Sequence, residues 1–201
     1  MFNRTLYALI LVLPFTGWFG AGPVSAENIH HHSKYVGQEQ RSIKSLSDAD
    51  IAELQRGGGW GMAKAAELNG VPGPIHLLEL KDEIPLSDEQ VSVITQLYHQ
   101  MKSEAIESGT LLIELEAALD RQFRNGTVDE TVLRASLEAI ADVRMRLRFT
   151  HLSAHLQTPH ILTPDQIAKY ASLRGYGKTN PCDNIPVGHS AAMWRKHNGC
   201  N

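Results

Sequence analysis

The residues in this chain best suited to chemistry are histidines, and their spacing suggests metal coordination rather than catalysis. His151 and His155 stand four apart in a stretch of helical periodicity, so both rings project from one face, one turn apart. Two imidazoles so placed suit Zn, Ni, Co or Cu, with further ligands required from elsewhere. His76 and Glu79, at i, i+3, and His160 are the candidates for the remainder. The pair lacks the glutamate of a His-Glu-x-x-His protease motif. His151 also continues an apolar stripe through Leu147, which fits a histidine buried in the core. His30, His31 and His32 form a second imidazole cluster, suited to weak divalent binding or to no selected role. His189, Met193 and His197 could stripe a tail helix, with Met193 suiting Cu(I). The plainer reading is that Met193 and Trp194 pack the tail onto the body.

Nucleophiles are scarce. Cys182 and Cys200 both lie in the C-terminal tail, and no Cys-x-x-Cys pairing points to zinc. A disulfide is favoured over a metal site shared with His189 and His197; it would close a loop worth about 3 kcal/mol in the chain-entropy model. Gly57-Gly58-Gly59-Trp60-Gly61 lacks the Lys-Ser/Thr of a phosphate loop and reads as a linker or hinge. There is no nucleophile elbow, no Cys–His pairing beside an apolar stretch, and no carboxylate cluster outside helix starts. The expectation is a non-enzymatic protein with no required cofactor and no catalytic residues. Arg144, Arg146 and Arg148 make the only dense basic run. Arg144 and Arg148 share a helix face, while Asp142 can pair with Arg146. Such a run is ordinarily a solvated face; beside an apolar groove it would steer acidic chains.

The compartment limits these options. Residues 1–26 read as a signal peptide: Arg4 gives the positive start, Leu6 to Phe15 the short apolar core, and Val24-Ser25-Ala26 the cleavage site. Loss of Arg4 leaves the mature chain one charge more negative than the formal −3 of the whole sequence, which argues against a nucleic-acid binder. The expected location is the periplasm. Oxidised cysteines fit an exported protein.

The elements that would position these residues are helices. Residues 27–45 are polar and expected to be disordered; 46–176 form one domain, and 177–201 a tail. Ser47 can cap a short helix, Met62 to Asn69 a second, and Pro74 to Glu83 a third. Two long helices follow. One runs from Ser87 to about Arg124, its apolar positions stepping by threes and fours through Val91, Ile94, Tyr98, Met101 and Ala105, then Leu112, Leu115 and Leu119 with only Ser108 interrupting, for roughly 55 Å. The other is expected to start at a Thr127-x-x-Glu130 capping box and to bury Leu133, Leu137, Ile140, Val143 and Leu147. Asn125-Gly126 leaves a short connection, so the pair should be an antiparallel hairpin. A last helix starts at Thr163 and stops at Gly175. No alternating strand pattern occurs, and the fold class is all-α.

One phrase is written twice. Leu86-Ser87-Asp88-Glu89-Gln90 and Leu162-Thr163-Pro164-Asp165-Gln166 each read Leu-[Ser/Thr]-x-x-Gln. Ser87 or Thr163 serves as N-cap, Gln90 or Gln166 completes a capping box, and Leu86 or Leu162 makes a hydrophobic staple with Val91 or Ile167. Pro164 suits the first helical position. The paired phrases in an exported helical chain resemble the LTxxQ-motif family of bacterial periplasmic proteins (Spy/CpxP/ZraP-like), with the likeness covering roughly residues 59–176. Ser87 stands where the family name has Thr. The resemblance implies a curved homodimer and ATP-independent chaperoning of unfolded or partly folded periplasmic proteins. It also implies control of a membrane sensor protein, or metal-linked sensing through a pair such as His151 and His155; the resemblance slightly favours chaperoning, and the histidine content favours sensing. Geometry alone also suggests an elongated antiparallel dimer, since a long hairpin leaves apolar surface for a second subunit to cover.

Overall fold

The computed structural model describes residues 33–176, 182 and 185–200. The expected leader and its cleavage site, and the cluster His30 to His32, lie outside the described residues. The chain divides at Val36 into two units, and of the first only residues 33–36 are described, a turn in which Val36 N–H donates to the Ser33 carbonyl at 3.1 Å.

In the second unit the order is α1 (Asp48–Gln55), α2 (Lys64–Glu67), α3 (Pro74–Glu79), α4 (Asp88–Arg124), α5 (Glu130–Gln157), α6 (Pro164–Leu173) and α7 (Ala191–His197). No strand occurs among the described residues. None of the described helices is long and apolar enough to cross a membrane.

The hairpin is as expected. At 37 residues α4 spans about 55 Å, and Gly126, at φ +64°, takes the left-handed position that turns the chain into α5. Cross-helix bonds show the antiparallel register. Ser136 Oγ donates to Gln122 Oε1 at 3.1 Å, and Arg144 Nη1 to Glu116 Oε1 at 3.5 Å, nearer the middle of both helices. The cap of α5 is not the expected one. Asp129 accepts the Val132 N–H at 2.8 Å, while the Thr127 hydroxyl donates to the Gln122 carbonyl of α4 at 3.4 Å. Asp129 is the stronger acceptor and lies nearer the apolar stripe, so the helix begins two residues later.

Three apolar clusters make the core, one of them Leu97 and Met101 of α4 with Ala154 of α5. Leu46 and Leu54 pack with Ala105 and Leu112 of α4 and with Ile140, Val143 and Leu147 of α5. Toward the start of α4, Leu77, Ile84 and Ile94 meet Leu162 and Tyr170. Three expectations change here. Leu137, expected in the seam, is 48 % exposed. The α5 seam instead shifts to Thr150, His151, Ala154 and His155. The stretch before Leu46 contains a 3-10 turn (Gln38–Gln40) and buries Ile43, where the expectation was disorder. Ser45 Oγ also donates to the buried Glu116 at 2.8 Å. The second short helix is cut to a single turn between Gly61 and Gly70, and the third ends at Glu79 rather than Glu83.

Gly109 explains how α1 reaches the hairpin. A Cβ there would lie 2.6 Å from the Leu54 carbonyl oxygen, so only glycine lets the end of α1 rest on the α4 backbone.

The tail is closed by the expected disulfide, Cys182–Cys200, with an S–S distance of 2.07 Å. Met193 is 73 % exposed and α7 buries none of its residues, so Met193 does not anchor the tail. Its helix is short, and His189 stacks edge-on against Trp194 from outside the helix, at 5.1 Å between centroids.

Candidate functional site

The repeated phrases meet. Both capping boxes form: Ser87 Oγ accepts from Gln90 N–H at 3.1 Å and Thr163 Oγ1 from Gln166 N–H at 3.3 Å. Each glutamine oxygen accepts its own cap's N–H at 2.9 Å. The two side-chain amides then pair reciprocally, Gln90 Nε2 to Gln166 Oε1 and Gln166 Nε2 to Gln90 Oε1, both at 2.9 Å. Their remaining N–H groups donate to the carbonyl just before the other copy's leucine, Gln90 to Ile161 and Gln166 to Pro85, each at 2.8 Å. Every donor and acceptor of both amides is used. The sequence shows each box but not their meeting; the equal spacing of the phrases from their caps was the available signal.

His151 and His155 are buried, at 3 % and 6 % exposure, on the face of α5 that meets the loops after α1 and α2. His155 Nδ1 donates to the Val71 carbonyl at 2.9 Å, which leaves its Nε2 a bare lone pair when neutral. Gly73 fits against that ring: a Cβ there would lie 2.8 Å from Nε2 and 3.7 Å from Glu67 Oε2. Burial pushes the pKa of both histidines down. For His151 the neighbouring His155 adds to this, against a hydrogen bond with the Gly58 backbone and the charge of Glu53. For His155 the Val71 bond and Glu67 oppose burial without overcoming it. Both are neutral imidazoles near pH 7.

Glu67 was not legible as a site residue. Its Oε1 accepts from Tyr170 OH at 2.8 Å, Tyr176 OH at 2.7 Å and Arg174 Nε at 3.0 Å. Burial raises its pKa, but the tyrosine hydroxyls and Arg174 outweigh that, and the net shift is downward. Burial and the Glu67 carboxylate push the Tyr170 hydroxyl up. Glu67 Oε2 and His151 Nε2 are buried without a hydrogen-bond partner, and both residues line one cavity of about 530 Å³, together with His76 and His155. His76 Nδ1 and Glu79 Oε2 pair with each other at 2.8 Å, and His160 is exposed at the end of α5. Among the described residues no three His, Cys, Asp or Glu side chains lie close enough to hold a metal ion.

The outer side of α5 carries the other candidate. Met145, Phe149 and Leu156 are 56 %, 66 % and 67 % exposed, and together with Leu152 they form a stripe opposite the core. Trp60 and Met62 rise beside it, and with Arg144 and Arg148 they bound an open basin of about 740 Å³. The Arg144 guanidinium lies over the Trp60 ring at 5.0 Å. Trp60 takes φ +42°, an uncommon angle for a bulky residue, and is held there by Nε1 donating to Asp50 Oδ1 at 2.8 Å. Arg146 pairs with Asp142 at 3.1 Å, as its spacing suggests.

No protein-family model, curated protein or solved structure matches the chain.

Proposed function

We propose that this is an exported, non-enzymatic binding protein that holds partly folded polypeptides in the periplasm without nucleotide, in the manner of the LTxxQ-motif chaperones it resembles. One observation carries the reading: an apolar stripe stands outside the core on α5, walled by Trp60 and Met62 and rimmed by Arg144 and Arg148. Large side chains exposed together on one face favour contact with other proteins. The stripe stands on α5, whose backbone is already paired within the helix, so that face is presented without ordering a loop.

The test is suppression of aggregation of a reduced or heat-unfolded client by the mature chain. Near-stoichiometric protection, lost in Met145→Asp/Phe149→Asp, supports the reading. Inertness toward several clients sinks it.

A metal-sensing role has one observation of its own: the unpartnered Nε2 of His151, four residues from the bare Nε2 of His155. In that reading a Zn, Ni, Co or Cu ion would draw the rings from their loops and alter a partner such as a membrane sensor. Submicromolar binding abolished by His151→Ala/His155→Ala supports it, and binding unchanged in that double variant removes it.

A further inference from the structure

We infer that the basin on α5 selects amphipathic helices that carry carboxylates beside their apolar residues; the inference rests on the binding function proposed above. Met145, Phe149, Leu152 and Leu156 step by four, three and four, the spacing at which one helix receives the side chains of another. They extend over about 17 Å of helix, three turns. Trp60 and Met62 make one side of the stripe a wall, so the surface is a trough rather than a flat strip.

The backbone of the occupant matters as much as its side chains. The stripe is made of side chains on an intact helix, whose own backbone groups are paired within it. An extended segment laid there would lose water from its N–H and C=O groups and find no partners in exchange. A helix brings its backbone bonds already made. The trough therefore favours a helix over a strand.

Charge fixes the rest. From Val143 to Gln157, α5 has three arginines and no acidic residue. Arg146 is paired with Asp142, and Arg144 reaches Glu116 at 3.5 Å, but Arg148 has no ion-pair or hydrogen-bond partner among the described residues. On the Trp60 side the nearest carboxylates are committed, Asp50 to Ser47 and Trp60, and Glu53 to Arg56. The open trough thus presents apolar surface edged by unspent positive charge. A second copy offering the same face would set arginine against arginine, so a partner with acidic flanks is the better complement.

The mature chain with Trp194→Phe leaves Trp60 as its only tryptophan, a reporter inside the trough. Three designed peptides are titrated: a leucine-striped helix flanked by glutamates, the same helix flanked by lysines, and the glutamate form interrupted by a central proline. The glutamate helix is expected to shift Trp60 emission and to bind about tenfold or more tighter than either other peptide, less so as salt rises. Arg148→Glu is expected to reverse the preference toward the lysine helix, with an unchanged urea midpoint showing that the fold persists. Equal binding of all three peptides, or of the proline form and its parent, overturns the inference. If no helix binds while client aggregation is still suppressed, the inference fails and the proposed function stands. If both are lost in the wild-type chain, both fail.

Discussion

At the scale of single residues, the two glutamines show how a local signal becomes a tertiary one. Gln166 is 7 % exposed, and its amide makes bonds both to its own cap and across to Gln90 and Pro85. Gln166→Ala removes these bonds and leaves buried groups of Gln90 and the Pro85 carbonyl unpaired. The expected loss is about 2–4 kcal/mol, larger than the roughly 1 kcal/mol of an isolated cap, and read by urea unfolding. The double variant Gln90→Ala/Gln166→Ala should cost less than the sum of the singles, because either single change already breaks the pair. The histidines give a pH dependence. His151 and His155 have pKa values lowered by burial, so the unfolded chain takes up their protons first as pH falls below about 6.5. Their stabilisation is complete above that value and is lost progressively as pH falls toward the folded-state pKa. Glu67 acts lower on the scale: its lowered pKa gives stability present above the usual carboxylate range and lost as pH falls through the folded value. His151→Gln should therefore flatten the decline in thermal midpoint between about pH 7 and about pH 5.5, and leave the steeper loss at lower pH in place.

At the scale of elements, Gly109 sets two effects against each other. Alanine at an exposed mid-helix glycine would stabilise α4 by about 1 kcal/mol through propensity alone. Here the new Cβ meets backbone of α1, at 2.6 Å from the Leu54 oxygen, and backbone cannot swing aside as a side chain can. Gly109→Ala is expected to destabilise by about 1–3 kcal/mol, the usual cost of overpacking, with the sign reversed from the propensity value. Chemical denaturation of this one variant decides whether α1 is seated on the hairpin. These two examples show what a sequence makes legible. The helices α4, α5 and α6, and the boxes at Ser87 and Thr163, follow from periodicity and local capping chemistry, which act within a few residues. What escaped depends on approach between distant segments. Nothing local marks the contacts of Gly109 or Glu67, and Leu137 read as a seam residue until the partner surfaces were in place. His151 and His155 were legible as a pair on one face, but their burial under the Gly58 and Val71 loops was not.

At the scale of the whole molecule, buried polar groups gather where short helices meet the hairpin, while the apolar stripe of α5 stands outside the core. The tail tests how far cooperativity extends. Cys182 and Cys200 are 18 positions apart, so the bridge closes a loop lying wholly within the tail. In the chain-entropy model such a loop is worth about 3 kcal/mol to whatever unit unfolds with it. For a domain of this size that would appear as a fall of roughly 6–12 °C in thermal midpoint on reduction. Yet α7 buries no residue, so this helix offers little surface through which that energy could be passed on. The expected result is that Cys182→Ser/Cys200→Ser leaves the midpoint of the hairpin unchanged while the tail becomes more easily cleaved by protease. A fall of the full size would instead make the tail part of the same cooperative unit, and would place its disulfide among the contacts that hold α5 in position.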